Sequence, residues 1–291
     1  MILITGISGF IGSHLMKRLE RKCIGIDRKD GFEILDNEKL TKLFNEYEFD
    51  TVFHFAANSD ISTGDPAIEL RDTFQTTIAL LEQCRKHNVK QFIFASSSAI
   101  YGNTSDLIME NYGPLKPISH YGAAKLASEA FIHSYAEQYG IQAFILRFPN
   151  VVGDNATHGV VLDLIKKLIA NPIRLEVLGT GEQLKPYIHV DELIDAILFV
   201  WKHAKELVNV YNISGVGRSS VKEIAEMIVE HSGYNAEIVY TGKSWPGDCP
   251  EYKFNIQKLI HLGWMPKINS NLAISKAIES LWKQYTREDI G

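Results

Sequence analysis

Ile2-Leu3-Ile4-Thr5-Gly6-Ile7-Ser8-Gly9-Phe10-Ile11-Gly12 opens the chain, and the reading of this stretch decides the fold. A short apolar strand over Ile2–Thr5 runs into three glycines spaced three apart, and a helix pattern over 12–21 follows with Leu15 and Leu19 on one face. Glycine at such a junction lets the backbone turn tightly, approach a pyrophosphate and pack helix on strand. The helix N-terminus then offers free amides and a partial positive charge to phosphates. A second strand, Cys23–Asp27, ends in an acid 15 residues past Gly12. A carboxylate there bonds a ribose diol and repels a 2′-phosphate, which favours NAD over NADP. Gly6, Gly9, Phe10, Ile11, Gly12 and Asp27 are therefore expected around a dinucleotide. Arg28 is the residue type that accepts a 2′-phosphate, so it counts against the selection. Asp36 has two readings, a contact to adenine and the N-cap of the next helix.

Outward from this turn, strand and helix patterns alternate. A short third strand is expected at Phe32–Leu35, a helix over 38–47, a strand at Thr51–Phe55, and a long helix over 68–87. A strand at Gln91–Ala95, a helix over Tyr121–Tyr139 and a strand at Gln142–Arg147 follow. Strands separated by crossover helices predict an α/β, Rossmann-type doubly wound parallel sheet, with its ligand crevice at the carboxyl ends of the strands. Past Asn150 the pattern changes. Residues 153–159 read as loop, Val160–Ala170 as helix, and Leu175–Gly181 as a strand into a Gly-rich turn. Helices are expected from Ser220 to Ser232, capped by Ser219 or Ser220, and over Asn271–Tyr285. We expect a dinucleotide-binding domain over 1–150 and a smaller C-terminal lobe over 151–291. A return segment near 186–215 would carry short strands at Tyr187–Val190 and Val210–Ile213.

The bulk numbers narrow the class. With 291 residues, 45% hydrophobic and 22% charged, the chain has ordinary globular composition and length for a large core. A net charge of -5 without long basic runs argues against nucleic acid. Cys23, Cys84 and Cys249 are too few and too scattered for a disulfide framework or a zinc site, and free thiols suit a reducing cytoplasm. Residues 1–4 enter a strand directly, without the pattern of a signal peptide, and no apolar run has the length to span a bilayer.

The chemistry sits in two later stretches. Tyr121-Gly122-Ala123-Ala124-Lys125 opens a helix, and residues four apart share a face, so phenol and ammonium can act at one point. A nearby ammonium is expected to pull the tyrosine down from its ordinary pKa of about 10. Ser96-Ser97-Ser98-Ala99-Ile100-Tyr101-Gly102 follows a strand directly. Together with the glycine turn, these residues point to hydride chemistry at a carbinol carbon with a nicotinamide as acceptor.

With these stretches, Asp50-Thr51-Val52-Phe53-His54-Phe55-Ala56-Ala57, Leu146-Arg147-Phe148-Pro149-Asn150-Val151-Val152-Gly153 and Tyr187-Ile188-His189-Val190-Asp191 complete a set covering nearly the whole chain. The chain resembles the extended short-chain dehydrogenases, in particular nucleotide-sugar 4-epimerases of the UDP-glucose/UDP-galactose type. The resemblance implies Tyr121 as general base, Lys125 as the holder of the nicotinamide ribose, and Ser97 as the catalytic hydroxyl, with Ser96 and Ser98 as runners-up. It implies that Phe55, Ala56, Ala57 and Phe148 line the NAD site and that Asn150 binds substrate. It also implies a homodimer built on the 68–87 and 121–139 helices.

The chain departs from the family pattern in places. Dehydratases of the family carry Asp-Glu after the catalytic hydroxyl, where this chain has Ser98 and Ala99, so water elimination lacks its acid–base pair. Lys185-Pro186 replaces a common Arg-Asp, Trp245 replaces an arginine, and Thr73 stands where the family has an asparagine. Lys185 can supply the lost charge toward a substrate diphosphate but not the bidentate fork. Ser98, His158, Gly159 and Asp248 are further substrate candidates, each with a plain structural alternative. His54 reads as core packing and His189 as a structural histidine near the seam between the lobes. Three functions stay open: an NAD-dependent 4-epimerase working through a transient 4-keto sugar, a keto-sugar reductase of the same fold, and a non-catalytic NAD-binding protein.

Overall fold

The computed structural model describes residues 1–19, 22–58, 65–244 and 247–287. The first half runs β1 (Ile2–Thr5), α1 (Phe10–Arg18), β2 (Cys23–Ile26), α2 (Asn37–Glu46) and β3 (Thr51–His54). It continues with α3 (Pro66–Glu69), which passes through a π-helical turn (Leu70–Gln75) into α4 (Thr76–Lys86), then β4 (Gln91–Ser97), β5 (Leu107–Ile108), α5 (His120–Tyr139) and β6 (Gln142–Phe148). Next come β7 (Asn150–Val152), α6 (Val160–Ala170), β8 (Arg174–Val177), β9 (Leu184–Lys185), β10 (Tyr187–His189), α7 (Val190–His203) and β11 (Val208–Asn212). The chain closes with β12 (Ser219–Ser220), α8 (Val221–Ser232), β13 (Glu237–Tyr240), β14 (Lys253–Phe254), α9 (Gln257–Leu262) and α10 (Ser270–Arg287).

Six strands form one parallel sheet in the order β11-β6-β4-β3-β1-β2. Parallel sheets are covered by helices on both faces, and β1 and β3 are accordingly buried along their whole length. Alternate side chains separate into two cores. Ile2, Ile4, Phe53 and Phe144 face one side and pack with the helices of the second half. Leu3, Val52, Phe92 and Ile145 face the other, with Leu40 of α2, Leu80 of α4 and Ile132 of α5. The strand order reverses beside β1, and that switch point opens the crevice.

Three expectations are corrected and one alternative is decided. Phe32–Leu35 is not a strand. Arg28–Asp30 forms a 3₁₀ turn closed by Gly31 at φ +80°, and Phe32 N bonds back to Asp27 O, so the chain curls away from the sheet edge. Of the two return strands, the segment at Val208–Asn212 joins the main sheet against β6, whereas Tyr187–His189 pairs with β7 in a separate two-stranded ribbon. The long helix over 68–87 is interrupted by the π turn, a feature that often marks functional positions. Ser220, not Ser219, caps α8, with Glu223 completing a capping box.

Candidate active site

A crevice of about 590 Å³ opens at the carboxyl ends of β1, β3, β4 and β6. Its floor is the glycine turn. A Cβ on Gly12 would lie 2.1 Å from Gly6 O, and one on Gly6 would lie 2.7 Å from Ala56 N, so only glycine admits this fold of the turn. Gly6 also takes φ +78°. Thr5 Oγ1 accepts from Ala56 N at 3.1 Å, which ties the first strand's end to the third's. Gly9 caps α1 without any side chain, so the first amides of that helix face the crevice uncovered. Phe10, Ile11, Phe55, Ala56, Ala57 and Phe148 all line the same space. The residues present thus fit a pyrophosphate.

At one end of the crevice stand Asp27, Arg28, Phe32 and Glu33. The Asp27 carboxylate accepts from Ser8 N at 3.0 Å and Lys29 N at 2.9 Å, which fixes its direction and leaves lone pairs for a diol. Arg28 does not project free. It is bonded to Asp72 and to Glu33. Asp36 is not part of the crevice lining; its carboxylate caps α2 by accepting from Lys39 N at 3.1 Å. Of the two readings of Asp36, the structure thus displays the cap.

At the other end, Ser97, Tyr121 and Lys125 meet. Ser97 ends β4, Ser119 caps α5 by accepting from Gly122 N, and so the first turn of α5 brings Tyr121 to the strand end. The Tyr121 phenol and the Ser97 hydroxyl line this same end, and the hydroxyl favours the ionised phenol. Lys125 Nζ donates to Ala95 O at 2.8 Å and sits 4.7 Å from the Phe94 ring centroid and 5.7 Å from that of Tyr121. The other serines are engaged elsewhere. Ser96 donates to Glu129, and Ser98 is buried. Ser98, expected as a substrate contact, therefore lies behind the crevice wall and not on it.

The electrostatics correct one expectation. Burial pushes the Tyr121 phenol up to about 12; the Ser97 hydroxyl opposes that rise, and the charge of Glu69 adds to it. Burial likewise lowers Lys125 to about 8 against the favourable charges of Glu69 and Glu129. The phenol beside the ammonium thus stays above its ordinary value, with desolvation the largest cause. His54 is a core residue. It bonds Thr5 and Thr77, and burial followed by the Lys125 charge lowers it to about 3, so it is neutral.

From the second half, Asn150, His158 and Gly159 line the crevice. Lys185 and Asp248 do not; they form an ion pair with each other, and Asp248 also accepts from Ser244 at 2.6 Å. β9 pairs with β12, while Leu184 N bonds Pro250 O, and this brings Lys185 against the 247–251 segment. Both residues, expected as substrate contacts, thus stand paired with each other and apart from the crevice lining. His189 caps α7 by accepting from Asp191 N. Trp245 lies outside the described residues.

Sequence reasoning missed two acids on the interrupted helix. Asp72 lines the crevice and holds Arg28. Glu69 is buried, bonded by Asn58 at 2.7 Å and Thr73 at 3.0 Å, and its charge acts on both Tyr121 and Lys125. Acidic residues on an apolar helix face were the available signal.

Known proteins share this architecture. A crystal structure of a UDP-galactose 4-epimerase is 32% identical, with a TM-score of 0.86, over 97% of this chain and 99% of that one. The UDP-glucuronic acid 4-epimerase from Bacillus cereus, solved in complex with UDP-glucuronic acid and NAD, is 26% identical with a TM-score of 0.87, over 98% of this chain and 99% of its own. Dehydratases are relatives too. The dTDP-D-glucose 4,6-dehydratase of Bos taurus is 26% identical over 96% of this chain and 87% of its own length. Residues 2–214 match a single family along this same fold and crevice, and the chain belongs to the NAD dependent epimerase/dehydratase family.

Proposed function

We propose that this protein is a nucleotide-sugar 4-epimerase that retains NAD and acts on a UDP-hexose through a transient 4-keto sugar. The observation that carries the reading is the meeting of Ser97, Tyr121 and Lys125 at one end of the crevice, with no carboxyl group at Ser98 or Ala99. Bound NAD would supply a positively charged ring able to accept a hydride from the sugar carbon and return it. Tyr121 Oη takes the proton of the 4-hydroxyl, and Ser97 Oγ holds that hydroxyl in line. A phenol near 12 is ionised about once in 10⁵ at pH 7, so positive charge brought by the ligands has to lower it. Lys125, on the same wall, would hold the nicotinamide ribose. Asn150, His158 and Gly159 face the substrate, and Asp27 takes the adenosine ribose.

In this reading the first 150 residues carry the dinucleotide and the remainder mainly the sugar nucleotide. Two copies pair through α4 and α5, and Phe131 and Tyr139 of α5 are exposed. Localisation is cytoplasmic; no helix among the described residues is long and apolar enough to cross a membrane. The relation to dehydratases favours a second assay arm, but elimination needs an acid–base pair that Ser98 and Ala99 do not offer.

The test is incubation of the purified protein, without added cofactor, with UDP-glucose, UDP-GlcNAc and their GDP and dTDP counterparts. The expected product is the 4-epimer of a UDP-sugar. A 4-keto-6-deoxy product would mark a dehydratase, and strict dependence on added NADPH a keto-sugar reductase.

A further inference from the structure

Arg28 is the residue at the crevice most suited to a 2′-phosphate, and the structure shows what prevents that use. Its guanidinium is met by a carboxylate fork, Nη1 to Asp72 Oδ2 at 3.0 Å and Nη2 to Asp72 Oδ1 at 2.8 Å. Its Nε lies 2.8 Å from Glu33 Oε2. The paired donors that a phosphate would take are thus already filled in the bidentate geometry a phosphate needs. Asp72 is itself fixed. Only 9% of its side chain is exposed, and Arg71 holds it from the other side with bonds of 2.6 and 3.0 Å. Burial alone would raise the Asp72 carboxyl, but the bonds from Arg71 and Arg28 hold it well below the usual carboxylate range, so it stays charged. Among the charged residues lining this end, Asp27, Glu33 and Asp72 stand against Arg28 and Lys29, a net charge of about −1 before any ligand arrives.

We infer that Asp72, reaching from the π turn of the interrupted helix, sets cofactor choice by keeping Arg28 withdrawn, so that the crevice takes a dinucleotide with a free ribose 2′-hydroxyl and rejects one with a 2′-phosphate. The inference rests on the dinucleotide reading above and adds to it a residue 44 positions from Arg28 in sequence. Asp27 repels a 2′-phosphate by its charge. Asp72 removes the cation that would otherwise offset that repulsion.

The experiment is a fluorescence titration of nucleotide-free protein with NADH and with NADPH. Wild type is expected to prefer NADH. Asp72→Asn preserves volume and releases the guanidinium fork while Glu33 still holds Nε. Arg28 is half exposed, so water screens the new contact. The NADPH-to-NADH ratio of dissociation constants is expected to fall about tenfold, 1.4 kcal/mol. Asp72→Asn/Arg28→Ala should lose that gain. If it keeps the gain, Lys29, the other cation lining this end, holds the phosphate and the inference fails. Arg28→Ala alone covers the case in which Asp72→Asn does not fold. It should leave the wild-type ratio within about threefold, and a large weakening of NADPH would overturn the inference by showing Arg28 already at work. A wild type that binds neither dinucleotide sinks the cofactor reading along with the inference. NADH binding with an unmoved ratio in Asp72→Asn overturns the inference alone.

Discussion

Replacing Lys125 with methionine should make the nucleotide-free protein more stable at neutral pH while abolishing turnover. Lys125 is 2% exposed, and its amine has one hydrogen-bonded acceptor, Ala95 O at 2.8 Å. Burial lowers it to about 8, against about 10.4 for an unfolded lysine, a difference of about 2.4 pH units or roughly 3 kcal/mol. That is the cost of carrying the charge into the fold at pH 7. Methionine fills similar space without it but gives up the charged bond to Ala95 O, at about 1.5 kcal/mol. The net expectation is a gain of about 1–2 kcal/mol at pH 7. The sign reverses with pH. A lysine depressed in the fold releases its proton there first, so between about pH 8 and 10.4 the unfolded state binds more protons and wild-type stability rises with pH. The variant lacks this contribution, so its advantage should vanish and invert by about pH 10. Urea unfolding of both proteins at pH 7, 8.5 and 10, with slopes compared, measures the effect. A variant less stable than wild type at pH 7, or a difference that does not change with pH, would refute the reasoning.

Further expectations concern single sites. Tyr121→Phe should keep the fold and the bound dinucleotide yet lose about 10²–10⁴ in turnover, read as initial rates of 4-epimer formation; near-wild-type rates would move the proton transfer elsewhere. Gly12→Ala puts a Cβ 2.1 Å from Gly6 O, a backbone atom that cannot step aside, and should abolish NADH binding in a titration; unchanged affinity would mean the turn relaxes freely. Asp36→Ala should cost about 1 kcal/mol of stability as a lost helix cap and leave NADH affinity unchanged; a tenfold loss of affinity would restore an adenine contact.

Much of the fold was legible because its signals are local. Apolar strands at short spacing, glycines three apart and a helix behind them each depend on neighbouring residues, and they placed β1, β4 and α5 within two residues of their observed bounds and α1 within three. The coming together of Gly6, Ala56, Ser97 and Tyr121 followed from strand order, since parallel strands joined by crossovers bring all their carboxyl ends to one edge. What remained undecided concerns partners. Three consecutive serines look alike in sequence, yet Ser96 turns to Glu129, Ser98 is buried away from the crevice, and Ser97 lines it together with Tyr121. Phe32–Leu35 has strand-like residues, but Gly31 curls it from the sheet edge.

By itself, then, the sequence determined the crossover sheet, the glycine cradle and the presence of a tyrosine, a lysine and a serine at the strand ends. Only the tertiary structure decided which charges are free to act. Lys185 is neutralised by Asp248 across 63 residues and Arg28 by Asp72 across 44, and burial rather than a neighbouring ammonium governs Tyr121. The physical reason is that a side chain's period and backbone preference are set by residues within one turn, whereas its charge state and its partners are set by the dielectric and the groups that distant segments bring around it.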